Sequence, residues 1–220
     1  MSLILLIDSS AEKAQVSIVQ DAVILETLYN DSIKDHAAYI QPAIEQLFSN
    51  AAIPLKNIDA IAITAGPGSY TGLRVGMASA KGLCYVLQKP LISLNTLEIM
   101  AASAIRLLPN ARENPSDLFC PMIDARRMEV YTAVYNSQLQ LIMPAAACVL
   151  TELSFTELLR SQRLIFFGNG AEKWKTLCKN PHALFENAAI LPEDMARLAE
   201  RNYIQKAFSD LCQTEPIYLK

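Results

Sequence analysis

Glycine is scarce in this chain: seven in 220 residues, five of them between Gly66 and Gly82 and the others at Gly168 and Gly170. Glycine is placed here, not scattered, because it alone tolerates positive φ and close backbone approach without penalty. Histidine is scarcer still, with only His36 and His182, and a His-x-x-x-His metal pair is absent. The five cysteines lie far apart with no C-x-x-C, which excludes a zinc ribbon or a disulfide frame and reads as reduced packing thiols in a cytosolic protein. There is no basic surplus either: Lys and Arg number 19 against 22 Asp and Glu, so a freestanding nucleic-acid binder is disfavoured. Nor is there a long apolar run. The segment before Asp8 is too short for a signal peptide, and no other approaches the roughly 20 residues of a spanning helix. The expectation is a soluble, cytoplasmic protein with no membrane association.

What is present is a well-filled core, with 52% hydrophobic residues. Residues 3–8, LILLID, read as a buried strand, followed by strands at 15–20 and 22–29 joined by a turn at Gln20-Asp21. Apolar residues at helical spacing predict a helix from His36 to Ala51. A buried strand at 58–65, a helix from Tyr70 to Leu87, a short strand LISL and a helix from about Asn95-Thr96 come after it. The order β-β-β-α-β-α-β-α is that of an RNase H-like half. The polar stretch 108–118, LPNARENPSDL, reads as the boundary, giving a first lobe 1–107 completed by a helix at 193–212 and a smaller second lobe 108–192. Within the second lobe the pattern predicts strands near 119–124, 129–135, 139–142, 146–150 and 163–167, and helices at 153–161 and 171–178.

The segment GPGSYTGLRVG, residues 66–76, holds four glycines between a strand and a helix. That geometry points backbone N–H groups at a ligand and suits phosphate. It matches neither the P-loop pattern, since no lysine follows, nor the Rossmann spacing, which is one residue too wide. A tight structural turn and a phosphate cradle both remain open. The next helix has small residues at Gly72, Gly76, Ala80 and Gly82 and is apolar nearly all round. Such a helix is covered on both sides, either sandwiched inside one core or with one side on a partner or second domain, and a partner surface is the expectation. Ser9 and Ser10 beside Asp8 lack the glycines of a nucleophile elbow. DARRMEVY, 124–131, groups Asp124, Arg126, Arg127 and Glu129, either as a binding cluster or as a turn of solvated charges. Gly168-Asn169-Gly170 is a second strand-to-helix turn.

Asp8-Ser9-Ser10, His36, GPGSYTGLRVG, Asn95-Thr96-Leu97-Glu98, DARRMEVY and the terminal EPIYLK occur in that order. Together they resemble the TsaB family, the dimerisation subunits of the bacterial complex that makes threonylcarbamoyladenosine in tRNA. The resemblance spans nearly the whole chain; Met128, where many members carry glycine or aspartate, departs from it. It implies an α/β fold of two RNase H-like lobes of the actin-like ATPase superfamily, with mixed sheets flanked by helices. It also implies a chain that is not itself the transferase and has no catalytic residues, metal or cofactor of its own. The paralogue TsaD carries the metal and the transfer chemistry, the ATPase TsaE joins the assembly, and a separate enzyme supplies threonylcarbamoyl-AMP. Pairing with TsaD through the two N-terminal helices is implied, with His36, Tyr39, Ala43, Gly72, Gly76, Ser79, Ala80 and Leu83 as candidate interface residues. A homodimer through the same surface is expected in isolation, and tRNA is met only indirectly. A vestigial nucleotide contact through Asp8, Ser10, Gly66, Gly68, Gly168 and Gly170 is the open alternative for the loop. Rival readings are an independent actin-like ATPase or kinase and, more remotely, a peptidase.

Overall fold

The computed structural model describes residues 1–30, 35–108, 114–188 and 190–219, which fall into two compact units. The first comprises Met1–Thr96 and Pro192–Tyr218. Its sheet contains β1 (Leu3–Asp8), β2 (Gln15–Gln20), β3 (Val23–Tyr29), β4 (Ala60–Gly66) and β5 (Leu91–Asn95), in the order β3-β2-β1-β4-β5. β1, β4 and β5 run parallel, while β2 and β3 form antiparallel hairpins off β1. Asp21 and Ala22 carry the hairpin turn at φ 49° and 64°, one residue later than the sequence suggested, so β3 begins at Val23.

Helices α1 (His36–Asn50) and α2 (Tyr70–Leu87) cover one face of this sheet. Leu5, Ile7, Val16, Ile18, Ile61 and Ile63 meet Ile40, Ile44, Leu47 and Phe48 of α1 and Met77, Ala80 and Cys84 of α2. Ile4 and Leu6, which alternate to the other face, are fully buried too, and α6 (Pro192–Ile204) packs on β1, β3 and β5. A strand buried on both faces has no polar side to show, hence the unbroken apolar runs LILLI and AIAITAG.

The second unit, Leu97–Leu191, repeats the plan. Its strands are β6 (Leu118–Asp124), β7 (Glu129–Asn136), β8 (Leu141–Val149), β9 (Leu164–Phe167) and β10 (Ala183–Phe185), in the order β10-β9-β6-β7-β8. Pairing is again antiparallel from first to second to third strand and parallel from first to fourth to fifth. The helices differ, with α4 (Thr156–Leu159) and α5 (Ala171–Lys175) only one turn or so long.

Several boundaries move. The stretches at 139–142 and 146–150 are one edge strand, β8, in which Pro144 is tolerated because an edge residue need not donate to a neighbour. α6 stops at Ile204, where Lys206 turns left-handed at φ 54°, instead of running to Cys212. α3 (Thr96–Leu107) groups with the second unit, because Leu97, Met100, Ala101 and Ala104 pack with Phe119, Tyr135 and Phe167. The units divide at Leu97, where the sequence reading put the boundary after residue 107, and α6 groups with the first unit. Of the proposed connector, residues 109–113 lie outside the described residues.

Candidate functional site

β1 ends at Asp8, and its carboxylate organises the turn beyond the strand. Asp8 Oδ1 accepts from Ser10 N at 2.9 Å, Ser10 Oγ at 2.7 Å and Thr64 Oγ1 at 2.8 Å, tying that turn to β4. The glycine loop closes over it. Ser69 N donates to Ser10 O at 2.7 Å, and Ser69 Oγ caps α2 by accepting from Gly72 N at 3.3 Å. A Cβ on Gly68 would lie 2.3 Å from Ser10 O, one on Gly72 2.2 Å from Ser9 O, and one on Gly76 2.1 Å from Ser9 Oγ. Gly66 stands at φ +114°, a region L side chains avoid. The loop's close backbone approach is thus to the chain's own Ser9-Ser10 turn.

The second unit makes the same contact. Gly168, at φ +94°, would place a Cβ 2.4 Å from Met122 O, and one on Gly170 would fall 3.1 Å from Ile123 C and 2.7 Å from Val130 Cγ1. In both units a glycine after the fourth strand meets backbone at the end of the first.

Five of the eight candidate interface residues face inward. His36, Ala43, Gly72, Gly76 and Ala80 are buried within the first unit. The His36 ring lies 2.9 Å from Ala11 O through Nε2, which therefore carries the proton and donates, while Nδ1 has no hydrogen-bond partner among the described residues. Gly72, Gly76 and Ala80, expected on a partner surface, let α2 lie on β4 and the Ser9-Ser10 turn instead, whereas Gly82, the fourth small residue of that spacing, faces outward. Tyr39, Ser79 and Leu83 are half-buried.

The outward face of α2 is a different set. Thr71, Ala78, Gly82, Tyr85 and Val86 are exposed, with Val75 and Ser79 half-buried among them. Tyr85 is 69% and Val86 75% exposed, and a Cβ added at Gly82 would meet nothing within 4 Å. Beside this face, a groove of about 410 Å³ is lined by Gln41, Pro42, Glu45 and Phe48 of α1, with Leu55 and Leu83.

Sequence reasoning missed the other flank of α2. The C-terminal segment runs back along this helix: Ser209 Oγ lies 2.7 Å from Ser93 Oγ, Lys81 Nζ donates to Thr214 O at 3.1 Å, and Ile217 N donates to Ala65 O at 2.7 Å. Arg74 Nε donates to Tyr218 Oη at 2.9 Å, with its guanidinium 4.3 Å from the Tyr70 ring centre and 5.8 Å from that of Tyr218. Arg74 and Tyr218 are 144 residues apart, so no local spacing could announce the contact.

The DARRMEVY turn is braced, not loose. Asp124 Oδ1 accepts from Arg126 N and Lys173 Nζ, both at 2.6 Å, and Asn169 Oδ1 accepts from Asp124 N at 2.8 Å. Burial raises the Asp124 carboxyl, but the Lys173 and Arg126 hydrogen bonds and the Lys173 charge outweigh it and hold the group below its ordinary value. Arg126 and Arg127 are exposed with left-handed backbones. Burial pushes the Cys84 and Cys120 thiols up to about 12, which suits packing and not nucleophilic chemistry. Among the described residues no three His, Cys, Asp or Glu side chains gather as metal ligands, and no helix is long and apolar enough to cross a membrane.

Residues 28–214 match the family described as TsaD, tRNA N6-adenosine threonylcarbamoyltransferase. A relative named tRNA threonylcarbamoyladenosine biosynthesis protein TsaB from Escherichia coli is 27% identical, over 99% of this chain and 94% of its own. The chain belongs to the TsaD family, among its TsaB proteins. The Bacillus subtilis TsaB is 26% identical over 80% of this chain and 75% of its own length. Among solved structures, YeaZ of Pseudomonas aeruginosa superposes with a TM-score of 0.76 at 27% identity, covering both chains fully. Another Pseudomonas aeruginosa structure, described as a protein with similarity to peptidase YeaZ, reaches 0.84 at 25% with the same coverage. A polyphosphate/ATP-glucomannokinase from Arthrobacter, with a TM-score of 0.52 at 13% identity over 94% of this chain and all of its own, shares the fold alone. The two mixed sheets with flanking helices are thus the two-lobed α/β fold that the TsaB resemblance implied.

Proposed function

We propose that this chain is a non-catalytic subunit that binds and supports a TsaD threonylcarbamoyltransferase during N6-threonylcarbamoyladenosine modification of tRNA in the cytoplasm. The observation that carries the reading is the outward face of α2, where Ala78, Gly82, Tyr85 and Val86 form an exposed, largely apolar strip with room for a close-packed helix at Gly82. An apolar strip of this kind calls for a covering chain, and exposed tyrosines suit the centre of a protein interface. The non-catalytic part is supported by the glycine loop. Its close approach is to Ser9 and Ser10, and Asp8 Oδ1 already receives three donors from the chain itself. In this reading ATP, metal and threonylcarbamoyl-AMP are handled by TsaD, TsaE and the synthase, and tRNA is contacted mainly by those partners. The isolated chain covers the same strip by forming a homodimer.

The test is Gly82→Arg. Arginine is a better helix former than glycine and has open space here, so the fold is retained. Calorimetric titration with TsaD of the same organism should show binding weakened by at least about 100-fold, since an unpaired charge is pressed into an apolar contact. Light scattering should show the variant monomeric. A Gly82→Arg protein that binds TsaD like wild type would overturn the assignment of this face.

A further inference from the structure

Arg74 opens the outward row of α2, one turn before Ala78 and in line with Gly82 and Tyr85 by helical spacing. Its guanidinium is held unusually firmly for an exposed group. Nε is taken by the Tyr218 hydroxyl, the Tyr70 ring lies 4.3 Å from the guanidinium carbon, and the two rings are tilted together with centres 5.2 Å apart. Tyr218 is itself anchored, because Ile217 N pairs with Ala65 O at the end of β4. The terminal nitrogens of Arg74 have no partner among the described residues. A planar fork whose inner nitrogen and orientation are already fixed loses little entropy on gripping an oxyanion end-on.

We propose that Arg74, clamped between Tyr70 and Tyr218 by the C-terminal segment, receives a carboxylate side chain of the protein partner that docks on α2. This inference rests on the docking role given to that face. A single carboxylate is favoured over a nucleic-acid phosphate by what surrounds the fork. The other cation of α2, Lys81, is turned to the carbonyls of Thr214 and Cys212, so the helix offers one fork and not a basic track. The row it opens continues in Ala78, Gly82 and Tyr85, an apolar and aromatic surface typical of a protein contact and not of a phosphate backbone. The C-terminal segment is then a positioning element: it orients Arg74.

The experiment titrates TsaD of the same organism, by calorimetry at low and high salt, into the full chain carrying Arg74→Lys, Arg74→Gln, Tyr218→Phe or Gly82→Arg. Arg74→Lys keeps the charge but loses the fork, and should weaken binding about tenfold. Arg74→Gln should do so at least equally and flatten the salt dependence, a change that a merely structural residue would not produce. Tyr218→Phe, which frees Nε but keeps the ring, should weaken it roughly threefold. Wild-type affinity in both Arg74 variants, with binding lost in Gly82→Arg, would overturn the carboxylate contact and leave the docking face standing. Wild-type affinity in all four would overturn both. In a parallel arm with a tRNA transcript and fluorescence anisotropy, an effect of Arg74→Gln on tRNA affinity without one on TsaD would make the anion a phosphate and overturn the proposal.

Discussion

The two units share one sheet plan and differ in what is laid on it. In each, three antiparallel strands lead into two parallel ones, an aspartate ends the first strand, and glycines after the fourth meet that strand's backbone. Asp8 and Asp124 even make the same local bond, accepting from the amide two residues on, at 2.9 and 2.6 Å. Yet the first unit places helices of 15 and 18 residues where the second has 4 and 5. The shared features hold each lobe together. The unshared one, a long pair of helices whose outer face on α2 is exposed and largely apolar, is where the proposed docking role is placed.

The comparison breaks hardest at the glycine contacts. Gly76→Val should destabilise the first unit by about 1–3 kcal/mol, because its Cβ would crowd Ser9 Oγ and the tip of Ile63. Urea unfolding followed by circular dichroism measures it. A variant as stable as wild type would mean that the loop and the Ser9-Ser10 turn are not in contact. Six residues along the same helix, Gly82→Ala should instead stabilise by about 0.5–1 kcal/mol, since an exposed helical glycine gives up only its flexibility. A loss of stability there would mean that position is covered in the folded chain.

The smallest effect separates the two aspartates. Asp124, which accepts from Lys173 and the Arg126 amide, is held below its ordinary value, while the donors to Asp8 Oδ1 are two hydroxyls and an amide. A depressed folded-state value contributes stability above the unfolded value, and loses it as pH falls through the folded one. Lys173→Met should therefore cost stability at neutral pH and nothing at pH 2, by less than about 1 kcal/mol because the pair is partly exposed. Equal stability of the variant at both pH values would remove the ion pair from the account.

The strands LILLID and AIAITA of the first lobe are legible as unbroken apolar runs too short for a buried helix, ended by Asp8 and by Gly66. β10 is not, since three half-buried residues leave no period to read. The glycine and alanine spacing on α2 announced close approach correctly but could not say to what. A small residue looks the same in sequence whether its neighbour is another chain or the chain's own turn, so Gly72, Gly76 and Ala80 read equally well as facing outward. The exposed set at Ala78, Gly82, Tyr85 and Val86 was within reach once β4 was known to take the other side. The Arg74–Tyr218 clamp depends on where the chain end returns, which no local pattern encodes.

The most direct test is threonylcarbamoyl transfer to tRNA by TsaD, TsaE and the threonylcarbamoyl-AMP synthase of the same organism, with this chain absent, wild type or Gly82→Arg. The account predicts transfer that depends on the wild-type chain and falls to the no-chain level with Gly82→Arg. Full transfer without the chain would contradict the supporting role, and full transfer with Gly82→Arg would contradict its placement on the outer face of α2.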